Sequence, residues 1–197
     1  MTNLNDVDWS ALPAPEDDGG ANHLPGLTLP RLSLPATDGG MVSLAALTGL
    51  SVVYAYPMTG RPDRPLPDGW DMVPGARGCT PQACAFRDHA ADLRALGADH
   101  LFGLSTQATD YQREAAERLH LPFALLSDTD LRLTEALNLP TMTVAGMRLL
   151  KRITLVLRDA LIVKVFYPVF PPDEAPAQVE AWLRGRASPD RDMDGTA

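Results

Sequence analysis

The order of strand-like and helix-like segments limits this chain more than any other feature. Residues 50–56 (LSVVYAY) are an uncharged run closed by Pro57, the pattern of a buried strand. Residues 80–96 carry Ala83, Phe86, Ala90, Leu93 and Leu96 at helical spacing, an apolar stripe that faces inward. Thr80 is the expected cap of that helix, Pro81 suits its first turn, and Gly97 ends it. Residues 100–105 then read as a strand, 110–119 as a helix, 123–126 as a short strand and 130–137 as a short helix. Residues 152–157 and 161–167 form a predicted hairpin over Arg158-Asp159-Ala160. A last helix is expected over 172–183, with Val179, Trp182 and Leu183 on its apolar side. Upstream, 27–34 and 41–44 flank the turn Thr37-Asp38-Gly39-Gly40. Alternating strands and helices require a sheet covered on both faces, and a tight hairpin makes part of that sheet antiparallel. The expected fold class is α/β: three layers, a central mixed sheet and an added N-terminal β-hairpin.

The chain has 197 residues, the size of one domain. Residues 1–24 hold Asp6, Asp8, Glu16, Asp17 and Asp18 and no base, broken by Pro13, Pro15, Gly19 and Gly20, so they read as an acidic flexible arm. Trp9 and Leu12 are its docking candidates. Residues 186–197 read as a flexible tail, which leaves 25–185 as the domain. Within it, 58–78 is an irregular stretch rich in proline and glycine. A net charge of −8, with 17 Lys+Arg against 25 Asp+Glu, argues against nucleic acid. The apolar runs are far short of a membrane span. The first twenty residues have neither Lys or Arg nor an apolar block, unlike a signal peptide. A cytoplasmic protein is expected. Two cysteines are too few for a disulfide-stapled fold or a four-cysteine metal site.

Chemistry is concentrated in Gly78-Cys79-Thr80-Pro81-Gln82-Ala83-Cys84-Ala85-Phe86-Arg87-Asp88. Cys79 lies where a loop enters a helix. Free backbone N–H groups and the helix dipole there favour a thiolate, the nucleophilic form of cysteine. Cys84 follows five residues later in the same helix. In a regular helix that offset means a rise of about 7.5 Å, a turn of about 140° and a Cα separation of about 8.7 Å. A disulfide needs Cα atoms within about 7 Å. If the two cysteines bond, the first helical turn must unwind, and Pro81, with no N–H, offers less resistance to it. Other readings of the pair are a buried apolar Cys84, or a metal site of Cys79, Cys84 and His89 that lacks further ligands. A thioredoxin-type reductase would carry Cys-x-x-Cys, whereas this pair is Cys-x-x-x-x-Cys.

The motif Gly-Cys-Thr-x-x-x-Cys-x-Phe-Arg-Asp resembles that of the peroxiredoxins, of the peroxiredoxin Q or bacterioferritin comigratory protein type, and the likeness runs over residues 27–182. It implies a thioredoxin-like fold and a thiol peroxidase without cofactor or metal. Cys79 would be the peroxidatic cysteine and Cys84 the resolving one. Their intramolecular disulfide would be cleared by thioredoxin or a similar disulfide reductant, in a monomer or weak dimer. Lys151-Arg152-Ile153-Thr154-Leu155 looks like the family's Arg-x-Thr strand. It implies that Arg152 holds the thiolate and polarises a hydroperoxide, as a fixed cation would.

The likeness is broken at one place. The family carries Pro-x-x-x-Thr-x-x-Cys, but Ala76 and Met72 occupy those positions here. Tyr56-Pro57-Met58-Thr59 looks like the family's strand end, yet Pro57 stands 22 positions before Cys79, not seven. Residues 58–78 are therefore read as an inserted loop, a lid carrying Leu66, Trp70, Met72 and Val73 or a docking surface for the reductant. The residues assigned to substrate are Pro57 and Thr59 at the strand end, with Gly78 and Thr80 beside the cysteine. Gln82, where many relatives have Glu, removes a negative charge near the thiolate. The alternatives to a peroxidase are a thiol redox sensor or a binding protein with little turnover.

Overall fold

The computed structural model describes residues 7–186. The first six residues of the expected arm, and the expected tail beyond Arg186, lie outside the described residues. The central sheet has five strands: β3 (Leu50–Ala55), β4 (His100–Ser105), β5 (Leu125–Ser127), β8 (Ile153–Arg158) and β9 (Leu161–Phe166). Their order is β5-β4-β3-β8-β9. β3 runs parallel to β4 and β4 to β5, while β8 is antiparallel to both β3 and β9. The sheet is mixed, as expected from its connections.

Burial follows strand parity. Val52, Tyr54 and Tyr56 face one core, with Phe86 and Leu93 from α1 (Cys79–Asp88) and α2 (Ala90–Ala95) and Val179 and Leu183 from α5 (Ala175–Arg186). Val53 and Ala55 face a second core with Leu24, Leu34, Leu44 and, from α4 (Arg132–Ala136), Leu133. α3 (Thr109–Arg118) packs beside β5. The N-terminal hairpin is present but short: β1 (Leu34–Pro35) pairs with β2 (Met41–Val42). Among the described residues, no helix is long and apolar enough to cross a membrane.

Four local expectations are corrected. The helix expected over 80–96 is two helices, broken at His89, whose ring turns aside to Glu180. Thr80 does not cap it: the cap is Gly78, in the left-handed region at φ 104°. A hairpin of β6 (Thr141–Val144) and β7 (Met147–Leu150) was not expected; β6 alternates polar and apolar residues but is only four residues long, β7 breaks the alternation, and the hairpin turns at Ala145-Gly146. Residues 7–24, expected as a loose arm, lie on the body. The Trp9 indole donates to Asp173 at 3.0 Å, Asp18 accepts from Lys151 and Tyr167, and Ala21 and Leu24 are buried.

Candidate active site

Cys79 is the first residue of α1. The left-handed Gly78 lets the loop turn sharply into the helix, and the first helical bond runs from Gln82 N–H to the Gly78 carbonyl at 2.9 Å. No side chain caps this end. The N-terminal amides are left for the sulfur or for a ligand. Cys79 is 4% exposed, and its thiol donates to the Ala76 carbonyl at 3.5 Å.

Arg152 reaches the sulfur from across the sheet. It immediately precedes β8, and alternation along 152, 154 and 156 directs it to the α1 side, as Val156 does. Pairing of Ala55 with Ile153 brings it beside the end of β3. Its guanidinium is 2% exposed. Nη2 lies 3.3 Å from Cys79 Sγ and also donates to the carbonyls of Gly75, Ala76 and Arg77 at 3.1–3.3 Å. Three carbonyls therefore orient one buried cation against one sulfur.

Gln82, one turn into α1 and fully buried, accepts from Arg152 Nη1. A neutral partner at this point leaves the guanidinium charge uncompensated by any carboxylate in contact with it. Among the described residues, Arg152 Nε and Gln82 Nε2 have no acceptor. Two buried donors thus remain uncommitted beside Cys79.

Cys84 lies in the same helix, in the core with Phe86 and Tyr54. Burial pushes its thiol up, and Asp88 adds to this, while Arg87 opposes it. The two cysteines are free, and α1 is continuous through both. Arg87 pairs with Asp88 at 2.8 Å and donates to the Leu119 carbonyl. His89 Nδ1 sits 2.6 Å from Glu180, so Cys79, Cys84 and His89 do not converge on a metal.

A cavity of about 400 Å³ opens onto Cys79, Gly78 and Thr80. Much of its wall comes from the segment 58–78. Leu66 and Trp70 supply apolar surface, and Arg61, Arg64 and Arg77 supply charge, joined by Arg118 of α3. Arg61, Arg77 and Arg118 are paired with Asp63, Asp71 and Glu114. Of the four side chains expected in a lid, Leu66 and Trp70 line the cavity. Met72 is 71% exposed, and Val73 packs near Trp70 in a small core with Val144 and Leu149.

The assigned substrate residues are divided. Gly78 and Thr80 line the cavity beside Cys79. Thr59 is buried, and both its amide and its hydroxyl donate to Gln107 Oε1, at 2.9 and 3.1 Å. Pro57 is buried with its carbonyl accepting from Ser105. Neither Pro57 nor Thr59 is part of the cavity wall. The Ala76 position, which has no hydroxyl, meets both Cys79 and Arg152 through its backbone carbonyl. Sequence reasoning missed Gln107, Arg118 and Asp173, polar residues on separate elements with no local signal of their roles.

Residues 24–183 match the Redoxin family. The chain is 38% identical over 107 residues to peroxiredoxin Bcp of Escherichia coli strain K12, covering 54% of this chain and 58% of that relative. It is 33% identical over 117 residues to the chloroplastic peroxiredoxin Q of Sedum lineare, covering 59% of this chain and 54% of that one. The chain thus spans a little over half the length of these curated relatives. The crystal structure of peroxidoxin BcpB from Mycobacterium tuberculosis is similar at a TM-score of 0.66 and 26% identity, over 82% of this chain and 96% of that one. A structure of Xanthomonas campestris peroxiredoxin Q gives 0.65 at 23% identity, over 82% and 97%, a likeness of fold.

Proposed function

The chain belongs to the Redoxin family, and from that premise we propose that it is a thiol peroxidase in which Cys79 reduces hydroperoxides. The observation that carries this reading is the buried Arg152 guanidinium 3.3 Å from Cys79 Sγ, at an uncapped helix N-terminus. The thiolate attacks one peroxide oxygen, the O–O bond breaks, and the leaving alkoxide or hydroxide takes up a proton. Cys79 becomes a sulfenic acid. The Cys84 thiol then displaces water from that sulfenic acid and forms a disulfide. A dithiol reductant of the thioredoxin kind returns both thiols with two electrons.

Arg152 serves the first step by stabilising the negative charge that develops on the departing oxygen. Because Cys84 is on the same helix, the cycle needs only one chain, which suits a monomer or weak dimer. Two buried free thiols suit a reducing compartment such as the cytoplasm.

One observation favours a thiol sensor with little turnover. The hydroxyl expected at position 76 is absent, and that of Thr59 is committed to Gln107. The deciding experiment is intact mass after one equivalent of hydrogen peroxide is added to reduced protein. A loss of two hydrogens within seconds, abolished by Cys79→Ser, is the expected result. Both thiols still alkylatable after minutes would overturn the peroxidase reading. Oxidation without sustained turnover alongside a reductant would favour the sensor.

A further inference from the structure

The N-terminal segment touches the cysteine loop at three points. The site of a Cβ at Gly78 lies 2.8 Å from Trp9 Cη2 and 2.6 Å from Pro172 Cγ, so the indole and the proline close around the residue that precedes Cys79. The same site at Gly75, whose carbonyl accepts from Arg152, lies 3.4 Å from Pro15. Val7 lines the cavity at Cys79. The indole itself is anchored: its N–H donates to Asp173, and its ring packs edge-to-face on Phe170 with centroids 6.0 Å apart.

The start of α1 has no side-chain cap; besides this packing on Gly78, Arg152 holds it through the carbonyls of the preceding loop, the Cys79 sulfur and Gln82. Yet a Cys79–Cys84 bond requires this turn to open, since the helical Cα separation of about 8.7 Å exceeds disulfide reach. Opening must draw Gly78 away from Trp9 and Pro172.

We propose that Trp9 is a positioning residue for Cys79: by holding Gly78 it keeps the first turn of α1 wound, and so sets how a Cys79 sulfenic acid is partitioned. This rests on the peroxidase reading for the origin of the sulfenic acid. Wound, the sulfenic acid meets a second hydroperoxide, takes one oxygen from it to become a sulfinic acid, and releases water or an alcohol. Unwound, it meets the Cys84 thiol, forms the disulfide and releases water. The latch thus protects the reactive geometry at the cost of slower resolution.

The test uses the full chain with Trp9→Ala and Trp9→Phe. Acid quench, alkylation and intact mass give the disulfide and sulfinic fractions over time and over a peroxide titration. Trp9→Ala is expected to close the disulfide about tenfold faster, and to need about tenfold more peroxide to trap half of Cys79 as sulfinic acid. Trp9→Phe, which keeps a ring but loses the indole N–H, falls between. A purely structural role would lower the melting temperature and leave the partition unchanged, and that result overturns the proposal. A parallel arm replaces peroxide with diamide, which takes two electrons and two protons from the thiols and becomes a hydrazine. If the wild type ignores peroxide, the peroxidase reading falls, and faster diamide closure in Trp9→Ala still supports the latch. Equal closure rates with diamide overturn the latch whether or not peroxide reacts.

Discussion

Among the described residues, Arg152 bonds three carbonyl oxygens, one side-chain amide and the Cys79 sulfur, and no carboxylate. Replacing Gln82 by Glu puts a carboxylate in contact with the guanidinium. Peroxide attack by Cys79 at neutral pH should then slow by about tenfold in stopped flow, because the carboxylate draws the guanidinium away from the reacting oxygens. Arg152→Ala removes the cation itself and should slow the first oxidation by about 100-fold with peroxide in stopped flow. Cys84 behaves differently because burial holds it as a thiol. In reduced folded protein it should alkylate more slowly than Cys79, and the difference should vanish in urea. Cys84→Ser should leave one round of peroxide reduction and no intramolecular disulfide, read by intact mass.

At the scale of the element, α1 was legible as a helix starting near Thr80, because the apolar stripe and the punctuation are local. Its cap and its break were not. Thr80 has the chemistry of a cap, but the left-handed Gly78 places the helix start one residue earlier. The break at His89 depends on Glu180, 91 positions away in sequence. Gly78 is also where a side chain has no room. Gly78→Ala must strain a φ of 104° and displace both Trp9 and Pro172. A loss of about 1–3 kcal/mol in chemical denaturation is expected. An alanine variant as stable as the wild type would contradict the close packing described at this turn.

At the scale of the whole molecule, Asp18 ties the N-terminal segment to the sheet side of the active-site loop. Its carboxylate accepts from Lys151 and from Tyr167. The Lys151 contact first, and the Tyr167 hydroxyl next, hold this carboxyl well below its ordinary value of 3.8. The group's folded pKa is depressed, so its stabilisation is fully present above about pH 4 and is lost as pH falls through the folded value. Asp18→Asn should lower the melting temperature at pH 7 by about 2 °C, since the carboxylate is partly exposed and screened. The difference should narrow as the pH falls below about 4, with part of it remaining at pH 2 because the folded carboxyl is held so far below its ordinary value. A gap of the same size at pH 2 as at pH 7 would assign the effect to packing rather than charge.

The sequence by itself determined the alternation of strands and helices, the position of Cys79 at a helix start and the offset to Cys84. Each of these is carried by spacing within a few residues, where backbone geometry dictates which side chains share a face; Arg152 was a candidate only through the resemblance of its strand to the family motif. Only the tertiary structure decided that Thr59 gives its hydroxyl to Gln107, that Leu66 and Trp70 face the cavity while Met72 does not, and that Trp9 closes on Gly78. Those outcomes join segments tens of residues apart, 48 positions for Thr59 and Gln107. They follow from which surfaces meet when the sheet closes, a competition among packing partners that no local pattern records.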